Sequence, residues 1–214
     1  MSSDAPAFEI AVTLKRGRLR LAYDFTAGPG LTALFGPSGA GKTSLLDAVA
    51  GLARPAQGRI AVSGTVLYDR AARIDLKPER RRCGYVFQDL RLFPHHTVRD
   101  NLRYGWKLAE AQQRSLGWDH TLDLLGIAPL LDRMPATLSG GEAQRVAIGR
   151  ALLSGPAFLL MDEPLASVDA ARRGEILGLI ERIRSDLKLP ILYVSHDRAE
   201  VERLADRIIP IPAP

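Results

Sequence analysis

Gly36-Pro37-Ser38-Gly39-Ala40-Gly41-Lys42-Thr43 stands between a short apolar run, Leu31-Thr32-Ala33-Leu34-Phe35, and a segment running to Leu52 in which Leu45, Leu46, Val49 and Ala50 recur at helical spacing. Strand, loop, helix is the order in which a phosphate-binding loop of the pattern G-x-x-x-x-G-K-[ST] has to occur. Its glycines let successive backbone N–H groups point at anionic oxygens, with the partial positive charge of a helix N-terminus behind them. Lys42 is then placed to reach the β- and γ-phosphates of a nucleotide, and Thr43 to offer its hydroxyl to Mg²⁺. A glycine-rich turn that merely caps a helix is the alternative, but every fixed position of the pattern is filled in the right frame.

A phosphate cradle needs a partner that holds the metal and activates water. Phe158-Leu159-Leu160-Met161-Asp162-Glu163 supplies one: a buried strand ending in two carboxylates. Asp162 is the expected Mg²⁺ ligand and Glu163 the general base that polarises the attacking water. Alone, an apolar run ending in Asp-Glu is a common strand end; paired with the loop it becomes half of a site. Further along, Leu138-Ser139-Gly140-Gly141-Glu142-Ala143-Gln144-Arg145 reads as a Ser-Gly-Gly turn opening a helix, a second N-terminus suited to an anion. One chain therefore carries two half-sites for one nucleotide.

Around these motifs the sequence is that of an ordinary globular domain: 214 residues, 46% hydrophobic and 25% charged. The single cysteine, Cys83, excludes an internally disulfide-stapled scaffold and reads as a small buried hydrophobe beside a strand. No apolar run approaches the roughly 18 residues of a membrane-spanning helix, and Met1-Ser2-Ser3-Asp4 lacks the features of a signal peptide, so the expectation is a cytoplasmic chain. The formal net charge is +5, but arginines are scattered, and the nearest cluster, Glu79-Arg80-Arg81-Arg82, reads as a solvated face and not as a nucleic-acid surface.

The N-terminal segment alternates in Phe8–Leu14 and Leu19–Leu21 about a turn at Lys15-Arg16-Gly17-Arg18, which predicts a half-exposed antiparallel hairpin. Further strands are expected at Gly58–Val62, Val66–Tyr68, Gly84–Gln88, Phe158–Asp162, Ile191–Ser195 and Arg207–Ile209. Val98–Leu153 has helical periodicity and reads as a helical insertion into an α/β core. The tail Ile209-Pro210-Ile211-Pro212-Ala213-Pro214 cannot continue a central strand and is expected to fray.

Taken together, these segments resemble the ATP-binding cassette (ABC) ATPases, with Leu138–Gln144 as the family's signature motif. Gln88 matches its glutamine loop, Leu165-Ala166-Ser167-Val168-Asp169 the loop that follows the acidic strand, and Ser195-His196-Asp197 its switch histidine. The resemblance implies an α/β, P-loop NTPase fold with a parallel-sheet core, an antiparallel β subdomain and a helical subdomain. It implies one nucleotide-binding domain over residues 1–214, with the core and antiparallel part at about 1–90 and 155–214 and the helical part at about 91–154. It also implies ATP and Mg²⁺ as cofactors and a head-to-tail homodimer with ATP at the interface. Lys42, Thr43 and Ser44 of one subunit would then face Ser139, Gly140, Gly141 and Glu142 of the other. Gln88 would join Thr43 and Asp162 around Mg²⁺, His196 would contact the γ-phosphate and help fix the water with Glu163, and Asp169 would cross the interface.

One departure stands out. The family usually stacks adenine on an aromatic side chain in the N-terminal hairpin, and Val12–Arg20 contains none, leaving Arg16 or an aliphatic side chain in that place, with Phe8 and Tyr23 nearby. Pro78–His95 and Val98–Gly105, with Leu124–Ile127, Pro129–Arg133 and Leu192–His196, are similar to ATPase subunits of bacterial oxyanion importers, most closely those for molybdate. That similarity implies integral membrane permease subunits docking on Leu90–Tyr104 after the glutamine loop, a periplasmic binding protein as an indirect partner, no nucleic acid, and a peripheral position on the cytoplasmic face of the inner membrane. His95-His96 reads as docking surface, since adjacent side chains diverge. Such subunits commonly carry a C-terminal anion-sensing domain, and the expectation is that these 214 residues end before one, either as a natural short form or as a piece cut from a longer chain. The alternatives are an importer ATPase for another solute, such as ferric iron, sulfate or a polyamine, or a cassette protein acting on nucleic acid; the latter usually shows tandem cassettes or long coiled-coil insertions.

Overall fold

The computed structural model describes residues 5–17, 19–110, 112, 114 and 116–213, so the expectations placed on Met1–Asp4, Arg18 and Pro214 lie outside the described residues. Strand β1 (Phe8–Arg16) pairs antiparallel with β2 (Leu19–Ala27) in the register Leu14↔Leu21, the hairpin that alternation predicts. Strands β4 (Gln57–Val62), β5 (Thr65–Asp69) and the short β6 (Ile74–Asp75) extend it into an antiparallel sheet of order β2-β1-β4-β5-β6. A second, parallel sheet of order β10-β3-β9-β8-β7 is built from β3 (Leu31–Phe35), β7 (Cys83–Val86), β8 (Phe158–Asp162), β9 (Ile191–Ser195) and β10 (Arg207–Pro210). This is the expected α/β architecture.

Strands β8 and β9 are buried along their whole length, which is why they read as continuous apolar runs without alternation. Helix α1 (Lys42–Ala50) lies between the sheets: Leu45, Leu46 and Val49 share one apolar cluster with Ile10, Val12 and Ile60 of the antiparallel sheet and with Leu160 and Val194 of the parallel one. Burying such side chains is worth about 1.5–3 kcal/mol each, so the helix that follows the phosphate loop is held firmly from both sides.

Two details differ from the sequence expectation. Strand β7 ends at Val86, paired with Met161, so Phe87 and Gln88 leave the sheet at its C-terminal edge and do not extend the strand. The proline-rich tail does not fray at Ile211: its N–H donates to the Phe35 carbonyl at 2.7 Å and its side chain is buried. Pro210 is tolerated because β10 is, among the described residues, an edge strand paired with β3 on one side.

The long periodic stretch forms α2 (Val98–Leu108), α3 (Trp118–Leu125) and α4 (Gly140–Leu153), packed on one another through Leu102, Leu122, Leu125, Val146 and Ile148. Helices α2 and α4 approach so closely that a Cβ on Gly105 would lie 2.9 Å from the Cβ of Ser154. Helix α5 (Ala170–Leu187) covers the parallel sheet with a narrow stripe, Ile176, Leu179, Ile180 and Ile183, and α6 (Arg198–Leu204) follows β9. Among the described residues no helix is long and apolar enough to cross a membrane.

Candidate nucleotide-binding site

The C-terminal ends of the parallel strands converge on one place, as ligand sites of parallel α/β sheets do. Strand β3 delivers the phosphate loop, β8 delivers Asp162 and Glu163, β9 delivers His196, and the chain leaving β7 delivers Gln88. Arg16, Lys42, Thr43, Gln88 and Glu163 line one cleft of about 190 Å³. Thr43, Asp47, Gln88 and Asp162 line an adjoining one of about 460 Å³.

Gly41 caps α1 in the left-handed region at φ 87°, and a Cβ there would fall 2.4 Å from both Leu21 Cδ1 and Tyr23 Oη. Only glycine fits, so the hairpin β1–β2 closes over the root of the loop. Lys42 is 4% exposed and donates from Nζ to the carbonyls of Gly36 at 2.7 Å and Pro37 at 2.9 Å. Burial pulls its pKa down, and the nearby carboxylates of Glu163 and Asp162 push it back up.

Asp162 is 3% exposed, and burial raises its pKa while the Thr43 hydroxyl lowers it. Its Oδ1 is buried with no hydrogen-bond partner among the described residues. Such an orphan costs about 1–3 kcal/mol unless something satisfies it. A hard cation fits: Mg²⁺ takes one or two carboxylates and keeps waters and substrate phosphate oxygens for the rest of its octahedron. Thr43 and Gln88, on the walls shared with Asp162, add a hydroxyl and an amide oxygen.

Glu163 sits at φ 42°, unusual for a residue with a side chain, and its N–H is pinned to the Val194 carbonyl at 3.0 Å. That bend turns its carboxylate out of the sheet, where Oε2 lies 3.1 Å from Nδ1 of His196. Strain of this kind is retained where the surroundings over-determine it, and it collects at functional sites.

The Ser139 turn lies elsewhere. Ser139 caps α4 in a capping box: its hydroxyl accepts from the Glu142 N–H at 3.3 Å, and Glu142 Oε2 accepts from the Ser139 N–H at 2.7 Å. Glu142 Oε1 is held by Arg133 at 3.0 Å, so its carboxylate is engaged within its own turn, and the Ser139 N–H leads the groups that lower its pKa. A Cβ on Gly140 would lie 2.5 Å from the Ser167 carbonyl, so this turn packs on the loop that follows the acidic strand. None of Ser139, Gly140, Gly141 and Glu142 lines either cleft around Lys42. Asp169, mostly exposed, caps α5 by accepting from the Arg172 N–H at 3.1 Å.

Sequence reading left several neighbours of the cleft without a role. Asp47, one turn beyond Thr43 on α1, accepts a 3.1 Å bond from Tyr85 Oη; the i, i+4 spacing was the available signal. Tyr85 and Phe87 stack at 3.9 Å, and the Arg91 guanidinium covers Phe87 at 4.1 Å. Arg16 at the end of β1 reaches to 3.5 Å from Ser44 Oγ, whereas Phe8 and Tyr23 are both buried in the core. Beyond Phe87 and Arg91 lies a groove of about 480 Å³ walled by Phe93, Tyr104, Leu108 and Arg150. Its floor is fastened to the signature helix, because Arg150 donates to the carbonyls of Leu90 and Arg91.

Residues 22–166 match the ABC transporter family profile. A molybdenum import ATP-binding protein from Rhodospirillum rubrum is 59% identical over 94% of this chain and 54% of its own length. Its namesake from Mesorhizobium japonicum is 59% identical over 86% of this chain and 50% of its own. The chain thus spans about half the length of the curated relatives it matches. In three dimensions it is similar to a bacterial ABC transporter cassette solved as a dimer, with TM-score 0.73, 24% identity and coverage of 96% and 93% of the two chains. It is also similar to a bacterial Atm1-family ABC exporter with ATP bound, with TM-score 0.76, 25% identity and coverage of 100% and 39%.

Proposed function

Because the chain belongs to the ABC transporter family, we propose that it is the ATP-hydrolysing subunit of an importer and that its cargo is an oxyanion, molybdate or tungstate. The observation that carries the reading is the separation of the two anion-binding turns: Lys42 lies in the cleft with Glu163, while Ser139 caps its own helix and lines neither cleft. A second copy of the chain, placed head to tail, brings a Ser139 turn to the open side of each cleft. The names of the relatives support the cargo.

In this reading Gly36 to Gly41 turn their N–H groups on the phosphate chain, Lys42 transfers its bonds from the Gly36 and Pro37 carbonyls to the β- and γ-phosphates, and Ser44 closes the set. Thr43, Gln88 and Asp162 would hold Mg²⁺, whose chemistry there would be to offset the negative charge of the phosphates. Glu163 accepts a proton from the attacking water as its oxygen bonds to the γ-phosphorus and ADP departs, and His196 holds the γ-phosphate and water in line. Gly140 and Gly141 of the second copy supply N–H groups and Ser139 its hydroxyl to the γ-phosphate, Glu142 keeps that turn in shape by holding the Ser139 N–H, and Asp169 meets the partner across the interface. Gln88, one step from the groove at Phe87 and Arg91, reports the state of the site to permease subunits docked there from the cytoplasmic face of the membrane. A periplasmic binding protein delivers cargo on the other side.

The test is uptake into vesicles that hold the full transporter, comparing molybdate, tungstate, sulfate and ferric iron. ATP-dependent uptake of molybdate or tungstate, lost in Lys42→Ala, is the expected result; uptake of sulfate or iron alone contradicts the cargo assignment.

A further inference from the structure

Behind His196 lies a buried polar chain that the reading above does not use. Glu200 is 7% exposed, yet its Oε2 accepts hydrogen bonds from Tyr193 Oη at 3.0 Å and from Ser195 Oγ at 2.8 Å. Ser195 Oγ in turn accepts from the Asp197 N–H at 2.9 Å. Tyr193 and Ser195 are themselves buried, and burial ahead of the Glu200 charge keeps the phenol protonated as a donor. Glu200 is the third residue of α6, the position from which Glu142 reaches back to its own N-cap N–H in α4. In α6 that N–H is taken by Ser195 instead, and the glutamate turns inward.

We propose that Glu200 is a positioning residue for the switch histidine: through Ser195 it fixes the backbone on both sides of His196 and so keeps the imidazole on Glu163. The side chain of His196 is 56% exposed, so its place against Glu163 depends on how its backbone is held. Asp197 is also tied to α6, its Oδ1 accepting from the Ala199 N–H at 2.9 Å, and to Arg173 at 3.8 Å, a pair exposed at both ends, and exposed pairs hold little; neither tie reaches Ser195 on the other side of His196. A cavity of about 40 Å³ bordered by Glu163, Ser195, His196, Asp197 and Glu200 gives the loop room to shift once the chain is cut. Stability alone does not account for a carboxylate here, since an apolar side chain of similar volume often serves a buried site as well.

The proposal rests on Glu163 as general base, and steady-state ATP hydrolysis by the full chain tests it. Glu200→Leu is expected to lower kcat about tenfold or more, within the range that a misplacement of about 1 Å produces, with KM for ATP changed less than about twofold because the Lys42 loop is untouched. Glu200→Gln, whose amide oxygen can accept from both hydroxyls, is expected to recover most of that loss. A folded Glu200→Leu with kcat close to the parent, or a Gln variant no better than Leu, overturns the proposal. Should the Leu variant fail to fold, Ser195→Ala cuts the same chain: lowered kcat at constant KM supports it, and unchanged kcat overturns it. Glu163→Gln in the same assay separates the claims. Turnover surviving there overturns the general-base reading and this proposal with it, while turnover lost there but retained in Glu200→Leu overturns the positioning role alone.

Discussion

The Nδ1 of His196 lies 3.1 Å from Oε2 of Glu163, joining the ends of two adjacent parallel strands across the mouth of the phosphate cleft. Strands β8 and β9 run in register, with Asp162 opposite Val194, and the Glu163 N–H closes onto the Val194 carbonyl. The Glu163 backbone is thereby set by the sheet itself, while His196 stands one residue beyond the end of β9. The Ser139 turn, with its own N–H donors, lines neither cleft and packs through Gly140 against the Ser167 carbonyl.

Base selectivity should be weak. Phe8 and Tyr23 are buried in the core, and the side chain that reaches Ser44 from the hairpin is the cationic Arg16. Stacking of a cation on a base is worth about 0.5–2 kcal/mol and is available to any purine. GTP should compete with ATP within about tenfold, a gap of about 1.4 kcal/mol. Competition binding checks this; a hundredfold preference for ATP contradicts it.

The groove after Gln88 should couple the site to the permease. Leu108 projects from α2 into its rim at 73% exposure and touches no part of the nucleotide cleft. Leu108→Asp is therefore expected to keep the ATPase of the isolated chain within about twofold and to abolish coupled uptake. Phe93 is a poorer probe, because it packs on Tyr104 and both its N–H and its carbonyl are clamped by buried Asn101. Intact transport in Leu108→Asp places the docking surface elsewhere.

Acid should loosen the signature turn. The Ser139 N–H, with Arg133 in support, holds the Glu142 carboxyl below the ordinary glutamate range of about 4.3. A folded-state pKa depressed in this way contributes stability above the unfolded value, and that stability is lost as pH falls through the folded one. Glu142→Gln should thus be less stable than the parent at pH 7 and approach it near pH 3. Melting temperatures across that range decide; a constant gap contradicts the capping-box account.

The parts of the site legible in the sequence were those written in contiguous residues. The phosphate loop, the acidic strand end, the Ser139 turn and the switch histidine each carry their chemistry within about eight positions, flanked by the periodicity that places them on a strand or helix. What stayed hidden depends on contacts between distant segments. Glu200 gave no sign of turning inward, because an acidic residue in the first turn of a helix is ordinarily solvated. Ile211 reads as tail in the sequence until its N–H meets Phe35, and nothing in the residues around Arg150 signals that it binds the carbonyls beyond Gln88. Strand β6, with only two residues, is too short for alternation to show.

The central claim is that ATP completes its site between Lys42 of one copy and Ser139 of another. Glu163→Gln removes the general base and leaves Asp162 and both anion-binding turns intact, so this variant should bind ATP and fail to release it. The most direct measurement is sedimentation of Glu163→Gln at micromolar concentration with Mg·ATP, beside the same protein carrying Ser139→Arg, whose side chain blocks the approach of the turn. The account predicts a dimer for Glu163→Gln that appears only with Mg·ATP and is lost when Ser139→Arg is added. A monomer that has demonstrably bound ATP, both alone and within the assembled transporter, contradicts it.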